Sequence, residues 1–217
     1  MTKAAVVGAT GYAGAELVRI LTMHPEVDLA LITSRQYAGQ RFAAIYPGME
    51  TLSTLVCESL AVETLVQRVS IVFLALPHEL PMTIAPQLLE AGIRVVDLSA
   101  DFRFASRERY ESAYQPHKSP HLLANAVYGL SEIYRDLIAD AVLVGNPGCY
   151  PTTVLLPLVP LLRDGLIDAD SLVADAKSGV SGAGRSPSLA THFCEVNESY
   201  KPYKVAVHRH NPEMDEI

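Results

Sequence analysis

Short apolar runs alternate with stretches of helical periodicity along most of the chain. Residues 4–7 read as a strand followed by a glycine turn, and Leu17, Ile20 and Leu21 recur at helical spacing. Residues 28–32 predict a second strand. Residues 70–76 are apolar almost throughout, the pattern of a strand covered on both faces. Residues 80–91 predict a helix that stops at Gly92. Residues 93–98 and 141–144 predict two more strands. Strands separated by helices make βαβ units, and such units build an α/β fold around a doubly wound parallel sheet. Residues 104–128 lack such a period and read as irregular surface excursions. At Asn146-Pro147-Gly148-Cys149 the character changes, which divides the chain into domains of residues 1–146 and 147–217.

Composition narrows the field. The 217 residues hold 17 Lys and Arg against 24 Asp and Glu, a net charge of −7. With no long basic run, neither nucleic acid nor an anionic membrane surface is an expected partner. Hydrophobic residues at 49% and charged residues at 19% supply a real core and exclude general disorder. The cysteines, Cys57, Cys149 and Cys194, are three in number and widely spaced. They form no CxxC pair and no zinc-ligand pattern with histidine, so neither a metal nor a disulfide framework is expected. The first residues lack the charged and apolar regions of a signal peptide, and the apolar runs are too short to cross a bilayer. The expectation is a soluble, reduced, cytoplasmic protein.

The turn after the first strand is Gly8-Ala9-Thr10-Gly11-Tyr12-Ala13-Gly14. Its spacing is GxxGxxG, not the GxGxxG of the dinucleotide fingerprint. Its strand–turn–helix setting nevertheless suits a pyrophosphate facing free N–H groups at a helix N-terminus, which predicts a Rossmann-type domain. The second strand ends in Thr33-Ser34-Arg35, where an NAD-selective protein usually carries an acidic residue. A hydroxyl and a guanidinium there suit a 2′-phosphate and point to NADP(H).

Gly145 to Thr153 form a second turn of interest, again after a predicted strand. Pro151 fits the first turn of a helix, while Pro157 and Pro160 predict a kink or a short first segment. Cys149 would open that helix, where the dipole and free N–H groups favour a thiolate. Cys57 and Cys194 read as ordinary small residues.

Five stretches in order carry a resemblance: residues 8–14, 97–103, 145–153, 177–185 and 208–213. With them the sequence resembles the N-acetyl-γ-glutamyl-phosphate reductases, NADPH-dependent enzymes of arginine biosynthesis grouped with the aspartate-semialdehyde dehydrogenases. The resemblance runs the length of the chain. Members of that family continue well past the histidine motif, so the second domain, an α+β catalytic and dimerisation domain, is expected to be incomplete.

The resemblance implies that Cys149 attacks an acyl phosphate, that phosphate leaves, and that hydride from NADPH reduces the thioester to an aldehyde. It assigns acid/base work to His208 or His210, which would share a face if the segment were a strand. It places Gly8, Thr10, Gly11, Tyr12, Ala13, Gly14, Ser34, Arg35, Pro77, Ser181 and Gly182 at the cofactor. Ser99, Arg103, Asn146, Ser178 and Arg209 are the expected contacts of the small-molecule substrate, with the guanidinium groups suited to phosphate and carboxylate. It also implies a homo-oligomer. Other readings are an aminoadipyl-phosphate or aspartyl-phosphate reductase, or a nucleotide-binding fragment without turnover.

Overall fold

The computed structural model of the chain describes residues 1–50 and 54–217. These fall into two compact units, Met1–Pro147 and Gly148–Ile217.

The first unit is a Rossmann-like parallel sheet with helices between its strands. Its strands are β1 (Thr2–Val7), β2 (Val27–Thr33), β3 (Cys57–Glu58), β4 (Ile71–Leu74), β5 (Arg94–Asp97), β6 (Ala126–Tyr128) and β7 (Leu143–Gly145). Their order across the sheet is β3-β2-β1-β4-β5-β7-β6, with every pairing parallel. The intervening helices are α1 (Tyr12–Thr22), the single turn α2 (Phe42–Ile45), α3 (Val62–Arg68), α4 (Pro81–Glu90), α5 (Arg107–Ala113) and α6 (Ser131–Asp140).

Apolar side chains alternate across the sheet into two cores. Ala5, Val7, Val72, Leu74, Val95 and Leu143 point to one face, while Ala4, Val6, Leu29 and Ile32 point to the other. The register between β1 and β2 slips between Ala4 and Ala5, so that Ala4 meets Leu29 and Ala5 meets Leu31. Ala30 is the extra residue of this bulge. It joins Leu31 on one face and leaves Leu29 and Ile32 on the other. Burial of both faces is why these strands read as continuous apolar runs. α4 begins on Pro81, which needs no N–H partner there, and Gly92 follows it with φ 77°.

The stretch expected to be surface excursion is different. Phe104, Tyr110 and Leu123 are buried in the larger core, and α5 and β6 form within it. Its apolar residues follow no helix or strand period because loops, not regular elements, present most of them to the core.

The second unit holds α7 (Cys149–Arg163) and the single turns α8 (Phe193–Val196) and α9 (Asn211–Met214), with short 3-10 turns between. No strand occurs among its described residues. α7 runs as one helix with Pro157 and Pro160 inside it, without the expected division. Each proline lacks the amide that would reach back four residues, so the Thr153 and Leu156 carbonyls lose that bond. Residues 208–210 form a turn leading into α9 and not a strand. Pro212, at the start of α9, favours that helical turn.

Candidate functional site

In the first unit, the crest of the glycine turn is built by steric exclusion. Gly8 has φ 86°, and a Cβ there would lie 2.3 Å from the Ala75 carbonyl oxygen. A Cβ on Gly14 would lie 2.2 Å from the Gly8 carbonyl oxygen, so only glycine lets α1 close onto the turn. Gly11 differs: the nearest atom to its added Cβ is 3.7 Å away, and the space in front is open. Gly11 caps α1 without any side-chain hydrogen bond, with Tyr12 and Ala13 in the first turn behind it. Amides at an uncapped helix start facing open space are what a pyrophosphate needs.

The end of β2 braces this turn. The Thr33 carbonyl accepts from the Ala9 amide at 2.9 Å. The hydroxyls of Thr10 and Ser34 meet at 2.8 Å, and the Tyr46 hydroxyl donates to the Thr10 carbonyl at 3.0 Å. Ser34 is only 4% exposed and also accepts from the Tyr37 amide. Its hydroxyl therefore faces the turn, whereas Arg35 next to it is exposed. Pro77 is exposed just after β4.

Two residues expected to meet substrate look inward. Ser99 donates to Asp97 at 2.7 Å and accepts from the Asp101 amide at 3.0 Å, and is itself buried. Arg103 is 8% exposed, and its guanidinium donates to the carbonyls of Asn146 at 2.7 Å and Leu98 at 3.0 Å. These bonds fasten the loop after β5 to the end of β7, where Gly145 passes so close that its added Cβ would lie 2.0 Å from the Phe102 carbonyl. Beneath them Asp97 is fully buried, and burial pushes its carboxyl up to about 7 against the opposing pull of the Ser99 hydrogen bonds.

In the second unit, Cys149 is the first residue of α7 and is exposed. The preceding Gly148 has no capping side chain of its own. Its amide instead donates to Glu213 Oε1 at 2.8 Å, and Glu213 is 1% exposed. That bond ties α9 to the start of α7. The same tie accompanies an aromatic group: the Tyr150 ring lies 5.1 Å from His208 and 5.9 Å from His210, and the two imidazoles are 4.8 Å apart. Tyr203 packs 5.5 Å from His208 and donates its hydroxyl to that of Tyr150 at 2.9 Å. Burial first, then this hydrogen bond, raises the Tyr203 phenol to about 12.

His208 Nδ1 accepts from the His210 amide at 3.1 Å, so in the neutral ring the proton sits on Nε2. Burial, followed by the charges of Lys204 and Arg209, lowers its pKa below the usual histidine value. At neutral pH this ring is therefore a base. Arg209 is exposed between the two histidines. Ser178, Ser181 and Gly182 lie in and beside an exposed 3-10 turn, where a Cβ on Gly182 would meet the Ser178 hydroxyl at 2.6 Å.

Cys149, Tyr150, Tyr203, His208, His210 and Glu213 thus share one neighbourhood. Neither tyrosine nor Glu213 was singled out by the sequence reading. Glu213 stands five residues after His208 in a quoted motif, but nothing in its spacing says that it turns inward. No group of three or more metal-ligating side chains occurs among the described residues. No helix among them is long and apolar enough to cross a membrane.

A family model described as "Semialdehyde dehydrogenase, NAD binding domain" matches residues 3–141, and one described as "Semialdehyde dehydrogenase, dimerisation domain" matches residues 149–217. A protein of Desulforapulum autotrophicum named N-acetyl-gamma-glutamyl-phosphate reductase is 58% identical over 217 residues, all of this chain and 63% of that protein. One of the same name from Syntrophobacter fumaroxidans is 52% identical over 216 residues, again 63% of its length. The chain thus spans 63% of the length of these relatives. Among solved structures, aspartate semialdehyde dehydrogenase with NADP from Candida albicans superposes with a TM-score of 0.55 and 18% identity, covering 77% of this chain and 48% of that one. Aspartate semialdehyde dehydrogenase II complexed with ASA from Vibrio cholerae gives 0.54 and 22%, over 75% and 47%. At these identities the likeness shows a shared fold.

Proposed function

Because the chain belongs to the semialdehyde dehydrogenase family, we propose that it contributes the cofactor and cysteine sites of an NADPH-dependent reductase acting on N-acetyl-γ-glutamyl phosphate. The products are N-acetylglutamate semialdehyde and phosphate, a step of arginine biosynthesis. The observation that carries this reading is the exposed Cys149 at the start of α7, with its turn fastened by Glu213 and the imidazole of His208 packed on the next residue, Tyr150. The names of the 58% and 52% identical relatives supply the substrate.

In this reading residues 1–146 bind the nucleotide and residues 147–217 carry the acyl chemistry. The open crest at Gly11 and the uncapped start of α1 fit the pyrophosphate, and the exposed Arg35 fits the 2′-phosphate of NADP(H). When bound, NADPH supplies a hydride to the acyl carbon. Cys149 attacks that carbon as a thiolate, the bond to the phosphate oxygen breaks, and phosphate leaves with the electron pair. A thioester accepts hydride far more readily than a carboxylate. After reduction the C–S bond breaks and the thiolate returns.

His208, with Nε2 already protonated, takes the thiol proton on Nδ1 in place of the hydrogen bond from the His210 amide, and returns it to the sulfur as the adduct collapses. His210 holds the ring of His208 through its amide. In this reading Arg209 and Ser178 are substrate contacts of the second unit, and Ser181 and Gly182 are assigned to the cofactor. The dimerisation-domain match supports a homo-oligomer, and a pathway enzyme of this kind works in the cytoplasm.

The test is NADPH oxidation in the presence of N-acetyl-γ-glutamyl phosphate, with aspartyl and aminoadipyl phosphates as competitors. Turnover selective for the first substrate is expected. Selective turnover of either competitor overturns the substrate assignment, and nucleotide binding without any turnover assigns this chain a binding role alone.

A further inference from the structure

The loop that follows β4 is strained where it turns toward α4. Glu79 has φ 78°, in the left-handed region that non-glycine residues adopt only when something holds them there. The holding group is Asp101, fully buried on the neighbouring loop after β5. Its Oδ2 accepts from the Glu79 amide at 2.9 Å and from the Met82 amide at 3.4 Å. Its Oδ1 accepts from the Tyr110 hydroxyl at 2.9 Å, and that hydroxyl takes a further hydrogen bond from Gln115 at 2.7 Å. The Asp101 carbonyl meets His117 Nε2 at 2.7 Å. Asp101 is thus fixed by its own loop and passes that fixity to Glu79. A parallel tie runs from the Ala100 amide to His78 Nδ1 at 3.0 Å.

The position of this loop gives the strain a purpose. From β1 the sheet grows one way through β2 and β3, and from β4 it grows the other way through β5. In open α/β sheets the crevice outside the carboxyl ends of the strands at such a reversal is where ligands sit. The glycine turn after β1 is one lip of that crevice. The segment after β4 is the other, close enough that a Cβ on Gly8 would meet the Ala75 carbonyl at 2.3 Å and the Leu76 side chain at 3.2 Å.

The geometry points to Asp101 as a positioning residue for the dinucleotide crevice: it holds Glu79 in the left-handed conformation and so sets the lip formed by residues 76–80. This rests on the cofactor reading above. It is separable from a general role in stability, because a glycine at position 79 adopts φ 78° without strain and makes the carboxylate's hold dispensable.

The experiment measures NADPH affinity by fluorescence titration, and hydrogen exchange of residues 76–82, in five forms of the full chain. These are the unmutated chain, Asp101→Ala, Glu79→Gly, the double variant, and Tyr110→Phe. Asp101→Ala is expected to weaken NADPH binding about tenfold and to speed exchange at Glu79 and Met82. Glu79→Gly in the same chain restores affinity to within about threefold of the unmutated protein. Tyr110→Phe removes one of the bonds that fix Asp101 but leaves the Glu79 and Met82 amides their acceptor, so it is expected to lower the unfolding midpoint and to weaken binding by no more than about threefold, less than Asp101→Ala. If Asp101→Ala does not fold, Asp101→Leu, which nearly keeps the volume and removes both acceptors, is read the same way. Unchanged affinity in the Asp101 variant overturns the inference, as does equal loss in Tyr110→Phe or failure of Glu79→Gly to rescue. Absence of NADPH binding by the unmutated chain overturns the cofactor reading, and this inference with it.

Discussion

The Glu213 carboxylate accepts the Gly148 amide hydrogen at 2.8 Å across 65 positions of sequence, joining the turn that carries the histidines to the residue before Cys149. A glycine offers no capping side chain, and the carboxylate from α9 takes the amide of the N-cap residue itself, as the N3 Glu of a capping box does elsewhere. Hydrogen bonds to charged groups are worth more than neutral ones, so Glu213→Ala should destabilise the second unit by about 2 kcal/mol. Glu213→Gln keeps an acceptor and should lose less. Urea unfolding followed by tyrosine fluorescence measures both, and equal loss from the two would show that the negative charge, not the acceptor, matters.

Replacing the sulfur tests the nucleophile. Cys149→Ser should lower turnover by more than about a thousandfold while NADPH affinity stays nearly unchanged, because a hydroxyl is a far weaker nucleophile near neutral pH. Cys194→Ser, also at an exposed position, should leave turnover largely intact, and Cys57→Ser, buried in β3, should tell mainly on stability. Comparable loss of rate from Cys194→Ser would move the chemistry to that residue.

Cofactor choice is predicted to lie in one side chain. Ser34 is turned into the glycine turn, so the exposed Arg35 is left as the contact for a 2′-phosphate. NADPH should bind more tightly than NADH, and Arg35→Ala should remove about one to two decades of that difference. The comparison is made by titrating both nucleotides into both proteins. Equal affinities in the unmutated chain would refute the assignment.

Asp97 gives a pH dependence of defined sign. Its carboxyl is raised from 3.8 to about 7 in the folded protein, so between these values the folded state keeps a proton that the unfolded chain has lost. The stability it contributes is complete below about pH 4 and is lost as pH rises through about 7. Burial raises Asp101 in the same direction, and lowers His117, whose contribution has the opposite sign. The informative quantity is therefore the difference between the unmutated chain and Asp97→Asn. Thermal midpoints at pH 5 and pH 8 should fall less in the variant. A parallel fall in both would show that Asp97 does not titrate in this range.

The strands and glycine turn were legible because their cause is local. Residues 4–7 and 70–76 are apolar on both faces, and Gly8 and Gly14 stand where any Cβ would strike backbone. The start of the cysteine helix was legible for the same kind of reason, through Pro151 and the turn before it. What could not be read is set by partners distant in sequence. Tyr110 and Phe104 belong to the core because Asp101 and His117 organise the loops around them, and no periodicity records that. The alternation of His208 and His210 suggested a strand, but a strand needs a ladder, and the Glu213 tie with Pro212 favours a helical turn instead. Ser34 and Arg35 are neighbours with the same apparent role, yet only the Thr10 hydroxyl, 24 positions away, decides that the serine faces inward.

The glycine turn has a consequence for how such a protein can change. Gly8 and Gly14 are locked by backbone atoms within 2.3 Å of where a methyl would stand, so drift cannot alter the glycine turn by degrees. Arg35 lies outside that lock. In the proposed reading, selection or an engineer can therefore exchange one nucleotide for another at the end of β2 while the glycine turn stays untouched, which makes coenzyme preference the easily revised character of the domain and phosphate capture the inherited one.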